Sequence, residues 1–230
     1  MLDVEHPFIV KMHYVYQKNY RIYFVMDYLP GGDLFKHLNI VNRFTETQVR
    51  FLVAQIVLAL GYLHKELNVI YRDLKPENIL FDKDGYIKLT DFGLSKQASE
   101  SNTFCGTPEY LSPEMLEGTM HDKTCDWWAL GIIMYELLVG IPPFYDRNQN
   151  TMFAKIQMGE IPWPSKQEQG FSVSEDAADL IKKLLNRDRM KRLGAKNDSD
   201  DILSHRFFKG TNTQKLLAYK FKAPYKPNKD

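Results

Sequence analysis

Residues 126–139, DWWALGIIMYELLV, are apolar nearly all the way round a helical projection, with Glu136 the one charge after the opening Asp126. A helix of that kind has no face to offer to water, so it belongs at the centre of a domain with other elements packed round it. Gly140 and Pro142 then stop it. The 230 residues, 44% apolar and 26% charged, suffice for one large core or two small ones and exclude a disordered chain.

Around this centre the pattern predicts other elements. IYFVMDY at 22–28 is aromatic and β-branched and reads as a strand, and LPGGD at 29–33 reads as a turn or hinge at a boundary. TETQ at 45–48 is a capping box, and apolar residues at helical spacing behind it predict an amphipathic helix over 46–64 whose stripe is core. Short strands follow at Val69 and Ile70, at 79–81 and at 86–89, the last two joined by a hairpin turn at Asp84 and Gly85. Helices are expected over 149–158 and, behind a box at 172–175, over 175–186. Few strands in front and many helices behind give an α+β fold with a mixed front portion on a helical body.

Charge and cysteine usage narrow the function classes. Cys105 and Cys125 form no CxxC pair, which argues against a disulfide framework or a zinc knuckle, and the histidines show no metal-ligand spacing. The start, MLDVEHPFIV, is acidic where a signal peptide is basic, and Glu136 interrupts the best apolar run at 127–144, so no membrane span is expected and the chain reads as cytoplasmic, with the nucleus open. Seven Lys or Arg against Asp230 make the segment from His205 onward +6, leaving −5 on the rest of a chain whose net charge is +1. Without interleaved nucleic-acid motifs the basic segment reads as a solvated tail, and no nucleic-acid partner is expected.

The densest polar constellation is YRDLKPEN at 71–78, in a loop between two short strands, followed by Asp91-Phe92-Gly93 beyond the hairpin. Two acids, an amide and a lysine can then converge at one end of that hairpin. Hard Mg2+ takes few carboxylate oxygens and shares its shell with phosphates, so Asn78 with Asp91 makes a partial cage that nucleotide completes, and Asp73 can orient a hydroxyl. A single loop aspartate is ordinarily a turn former or cap, but the whole ordered set is very improbable by chance.

These motifs resemble those of protein kinases, with YRDLKPEN in place of the catalytic loop, an intact DFG and Ser112-Pro113-Glu114 where Ala-Pro-Glu closes the activation segment. HPFIV, FVMDYLPGGDLF, TFCGTPEYLSPEML, DWWALGIIMYELLVGIPPF and KRLG are similar to the AGC group of serine/threonine kinases, which holds the cyclic-nucleotide-dependent kinases, Akt and the S6 kinases. The resemblance implies a kinase-like fold divided into a small-lobe remnant at 1–25, a hinge at 26–32, a large lobe at 33–208 and the start of an AGC-type tail at 209–230. Within the large lobe the catalytic loop would be 71–78 and the activation segment 91–114.

The resemblance also implies roles. Asp73 would orient the substrate hydroxyl, Lys75 would neutralise the γ-phosphate of ATP, and Asn78 and Asp91 would hold Mg2+. Met26 would back the adenine pocket, Asp27 and Leu29 would offer hinge backbone groups, Leu80 would floor the pocket, and Tyr71 would pack on Phe92. Asp33, Glu77 and Glu136 would bind arginines of basic protein substrates, and Thr107 would help select Ser or Thr. Thr103 would be a phosphosite for an upstream kinase, its phosphate received by Arg72 and Lys96. Asp126 would brace the catalytic loop, and Glu114 with Arg192 would bridge the helical lobe.

The family pattern is interrupted at both ends, the C-terminal one stopping at the start of the AGC tail. No two of the thirteen glycines are two apart, so no GxGxxG is present, and Lys11 lies on the wrong side of HPF for the strand lysine of kinases. The expectation is an N-terminally incomplete kinase, whether fragment or short paralogue, with an uncovered apolar face at 22–25. A non-catalytic kinase-like interaction protein is the alternative. GxxxxGK[ST] is absent, which removes P-loop NTPases.

Overall fold

The computed structural model describes residues 4–91, 95–97 and 106–227. In chain order the elements are β1 (Met12–Lys18), β2 (Arg21–Met26), α1 (Leu34–Val41), α2 (Glu46–Lys65), β3 (Val69–Ile70), β4 (Ile79–Phe81), β5 (Ile87–Leu89) and β6 (Lys96–Gln97). Then come α3 (Pro113–Leu116), α4 (Thr124–Val139), α5 (Gln149–Met158), α6 (Lys166–Gln169), α7 (Glu175–Leu184), α8 (Ser199–Leu203) and α9 (Thr213–Leu217). The strands pair antiparallel as β1–β2, β3–β6 and β4–β5.

The apolar segment becomes α4, buried from Thr124 to Leu138 and packed between α2 and α7, with Trp127 and Trp128 fully inside. Its end is set by Gly140, whose φ of 98° is the left-handed conformation that lets its N–H reach the Glu136 carbonyl. The box at Thr45 forms as the sequence predicts, Gln48 returning its side chain to the Thr45 N–H. At α7 the sequence reading needs correction: the cap is Ser174, accepting from the Ala177 N–H, not a box beginning at Ser172. The helix also stops at Leu184, two residues short of expectation. Among the described residues α2 alone is long and apolar enough to cross a membrane, and 72% of that stretch is buried inside the fold.

Two elements lack an obvious sequence signal. MHYVYQK becomes β1 against β2; Ile22 and Phe24 stand exposed on one face of this hairpin, in line with the apolar face expected at 22–25, and Tyr14 and Tyr16 stand exposed on the other. Helix α1 forms because Asp33 accepts from the Lys36 N–H as its cap, directly behind the glycine pair. Of that pair, Gly31 runs so close to β4 that a Cβ would sit 2.6 Å from the Phe81 Cβ and carbonyl oxygen. Residues 31 and 32 thereby bond to Phe81 through Gly31 N–H to O (3.0 Å) and Phe81 N–H to Gly32 O (2.8 Å).

The basic C-terminal segment is not a solvated tail. Tyr219, Phe221 and Tyr225 alternate with lysines; Phe221 and Tyr225 are half-buried, Tyr219 lies against the Tyr86 ring at the surface, and Lys220, Lys222 and Lys226 stay in water. Tyr86 Oη donates to the Phe221 carbonyl (2.9 Å), and Tyr225 Oη meets His37 Nδ1 (2.7 Å) while the other ring nitrogen of His37 faces the Gly31 carbonyl (2.6 Å). This strap holds the 29–33 turn against β4 and the α2 face.

Candidate active site

The loop at 71–78 crosses buried ground, so its backbone donors need partners. The Asp126 carboxylate at the start of α4 supplies them, accepting from Tyr71 N–H and Arg72 N–H at 2.8 Å each. Arg72 sits at φ 67°, a conformation that non-glycine residues seldom adopt, and the Asp126 clamp holds it there. Asp126 is itself anchored. His64 Nε2 lies 2.8 Å from Asp126 Oδ2 and His64 Nδ1 lies 3.1 Å from Asp198 Oδ1, with Lys123 Nζ 2.5 Å from the other Asp198 oxygen. Burial alone would depress the His64 pKa, but the two carboxylates outweigh it and raise it, as fits an imidazolium donating from both nitrogens.

Beyond Arg72 the loop turns at Pro76 into a short 3-10 turn, which brings Asn78 back under Asp73. Asn78 Nδ2 donates to the Asp73 carbonyl and to Asp73 Oδ2, both at 2.9 Å. Both bonds are made by the amide nitrogen, so among the described residues the Asn78 Oδ1 is left as a hard-oxygen donor. Lys75 Nζ bridges Asp73 Oδ2 (3.0 Å) and Thr107 Oγ1 (3.0 Å). The Thr107 hydroxyl in turn approaches Asp73 Oδ1 at 3.5 Å. Asp73, Lys75, Asn78 and Thr107 are therefore one hydrogen-bonded cluster, with Asp73 buried at its centre.

Asp91 joins the cluster through the backbone. Thr90 N–H donates to the Asn78 carbonyl (3.0 Å), and the Tyr71 hydroxyl donates to the Thr90 carbonyl. Burial pushes the Tyr71 pKa up, and Asp73 and Asp91 push it further, so both carboxylates lie near one buried ring. Asp91 itself is exposed at φ 57°, a left-handed conformation that aspartate tolerates. Asn78 Oδ1 with the Asp91 carboxylate is a donor set of hard oxygens suited to Mg2+ that shares its shell with phosphates. Among the described residues no three His, Cys, Asp or Glu side chains form a metal cage.

On the other side of β4 lie the residues read as an adenine site. Leu80 is half-buried, Met26 is 44% exposed, and the Asp27 N–H is taken by the Lys11 carbonyl (3.0 Å), while among the described residues the Asp27 carbonyl and the Leu29 backbone make no backbone hydrogen bond. The Asp27 carboxylate bonds Lys88 Nζ and His13 Nε2, each at 3.0 Å. Burial opposes its ionisation, but these partners hold its pKa below the usual value. Sequence reasoning did not see this pairing, since the lysine and the aspartate are far apart in the chain.

Of the acids read as arginine-binding, Asp33 caps α1 and pairs with Lys36 (3.1 Å), whereas Glu136 is buried on α4 and accepts from the Tyr110 hydroxyl (2.8 Å). Burial raises the Glu136 carboxyl to about 7, and Glu77 and Glu109 add to the shift against the Tyr110 bond. Glu77 is exposed nearby, so it and Glu136 share one negative region. Tyr110 and Glu109 complete that region, and neither stood out in the sequence. Phe92 and Thr103 lie outside the described residues, and of Lys96 only the backbone, paired with Ile70, is described.

Glu114 and Arg192, 78 residues apart, meet as a buried bidentate pair at 2.6 and 2.9 Å, and Arg192 also donates to the carbonyls of Asn186 and Thr124 at 2.9 Å each. The remaining arginine contact is with Trp128, whose ring centroid lies 5.2 Å from the guanidinium carbon.

Residues 1–208 match the family model described as protein kinase domain. The chain is 48% identical over 230 residues to the serine/threonine-protein kinase Sgk1 of Homo sapiens, covering 98% of this chain and 52% of that protein. It is 48% identical over 229 residues to the serine/threonine-protein kinase sgk-1 of Caenorhabditis elegans (98% and 48%), and 47% identical over 230 residues to Sgk1 of Xenopus tropicalis (98% and 53%). The chain thus spans about half the length of the curated relatives it matches. With Asp73, Lys75 and Asn78 clustered, Asp91 tied to them through Thr90, and nearly the whole sequence aligned to kinases, the chain belongs to the protein kinase family, in its AGC group.

Proposed function

We propose that this chain transfers the γ-phosphoryl group of ATP to Ser or Thr hydroxyls of basic protein substrates. The observation that carries the reading is the bonding of Asp73 to Lys75 and Asn78 at 3.0 and 2.9 Å, in a loop whose backbone is clamped by Asp126. Phosphoryl transfer asks little covalent work of a protein and much positioning, and this cluster is held at every member.

Asp73 would accept the hydrogen bond of the incoming hydroxyl and fix its oxygen in line with the phosphorus. Lys75 stands next to the same carboxylate and would move its ammonium onto the transferring phosphate as negative charge shifts. Asn78 Oδ1 and Asp91 would hold Mg2+, which when bound neutralises phosphate charge. Leu80, Met26 and the open backbone groups of Asp27 and Leu29 would seat adenine. Glu77 and Glu136 would receive arginines ahead of the acceptor, with Asp33 as a further anion beside its capping duty. A phosphate on Thr103, added by an upstream kinase, would draw Arg72 and Lys96 and so link the loop to Asp73.

The test is transfer of labelled γ-phosphate to an arginine-rich Ser peptide with Mg2+, by the chain and by the longest reading frame that contains it. Asp73→Asn, folded by calorimetry, should lose at least about 100-fold in kcat. No transfer by either form, or an undiminished Asp73→Asn, would overturn the reading.

A further inference from the structure

A groove of about 240 Å3 lies where the C-terminal strap crosses α2, and it has no residue in common with the Asp73 cluster. Its floor is apolar, built from Phe51, Leu216 and Phe221, and its rim carries Arg50, Lys209 and Lys222. No carboxylate lines it.

Three cations therefore line one small apolar groove, and among the described residues none of Arg50, Lys209 and Lys222 forms an ion pair. Arg50 is also set in place: its Nε donates to the Phe207 carbonyl (2.6 Å), and its guanidinium carbon sits 4.9 Å from the Phe207 ring centroid. Its outer nitrogens are therefore presented without further ordering cost.

We propose that this groove docks an acidic peptide segment of a partner protein, one bulky apolar side chain entering between Phe51, Leu216 and Phe221 and flanking carboxylates meeting Arg50, Lys209 and Lys222. Size favours one anchor side chain over a whole nucleotide, since small-molecule pockets run to about 300 Å3 and above. Charge complementarity selects acidic segments, the opposite of the basic sequences that Glu77 and Glu136 would receive, so the two sites read different stretches of polypeptide. The inference concerns binding alone and holds whether or not the chain transfers phosphate.

The test is fluorescence anisotropy of the chain with a fluorescein-labelled peptide in which one Phe is flanked by Glu on both sides. Saturable binding is expected, weakened at least about tenfold by Lys209→Glu with Lys222→Glu, by replacing the peptide Phe with Ser, and by replacing its Glu residues with Lys. Both lysines are exposed, so the double variant should melt with the wild type, which separates lost docking from lost folding. No saturation up to about 1 mM peptide, equal binding of the Lys-flanked peptide, or full binding by a double variant that melts normally would overturn the proposal.

Discussion

Replacing Arg192 with Met puts the energetics of the helical body to a direct test. The guanidinium is buried, grips both Glu114 oxygens and also satisfies the carbonyls of Asn186 and Thr124. Removing it leaves an unpaired carboxylate in the interior, a change that costs about 3–5 kcal/mol in buried pairs. That is a large share of the roughly 5–15 kcal/mol that separates folded from unfolded domains, and at about 2–4 °C per kcal/mol for a chain of this size it lowers Tm by roughly 6–20 °C. The companion Glu114→Leu with Arg192→Met removes the orphaned charge and leaves only two carbonyls short, so it should recover about 2 kcal/mol over the single variant.

Urea unfolding at constant m-value, followed by calorimetry, reads both numbers. The pH dependence supplies an independent sign. Burial pushes the Glu114 pKa up, but Arg192 outweighs it, so the folded-state value lies below the usual 4.5. The stability from that shift is present above the unfolded value and is lost as pH falls through the folded one, so the gap between wild type and Arg192→Met should narrow below about pH 4. A single variant within about 1 kcal/mol of wild type, or a double variant no more stable than the single, would refute the reasoning.

Three further outcomes follow from the geometry. Because the Glu136 carboxyl titrates at about 7, it is charged above that pH and neutral below, so KM for an arginine-bearing peptide should rise as pH falls from 8 to 6, while Glu136→Gln should give a high KM with no such slope. Gly61→Ala places a methyl 2.4 Å from Ser199 Oγ between α2 and α8, and should cost about 1–3 kcal/mol in thermal unfolding, most of it restored by adding Ser199→Gly. Thr45→Ala breaks the α2 capping box and should cost about 1 kcal/mol by urea titration, with no change in peptide KM.

Much of the site is written within one local stretch. YRDLKPEN contains the aspartate, lysine and asparagine that bond to one another, and Pro76 within it makes the turn that brings Asn78 beneath Asp73. The same holds for α4, where fifteen consecutive buried positions leave a sequence no surface alternative. The capping box forms at Thr45 but not at Ser172, since Ser174 offers the same hydroxyl two residues nearer the first helical turn. In the C-terminal strap net charge points to solvent, whereas the aromatic residues between the lysines make the bonds that fasten it to Tyr86 and His37.

Sequence alone determined the kinase family, the composition of the Asp73 cluster and the central helix, because each depends on residues near one another in the chain or on a pattern repeated at every turn. Tertiary structure decided what the remote partners are. His64 with Asp198 behind Asp126, Lys88 beside Asp27 and Tyr110 on Glu136 are separated by many residues, and nothing in local spacing encodes them. Their pairing follows from burial: once the helices close, each charge or hydroxyl left inside must meet a partner, and which partner is available depends on packing geometry alone.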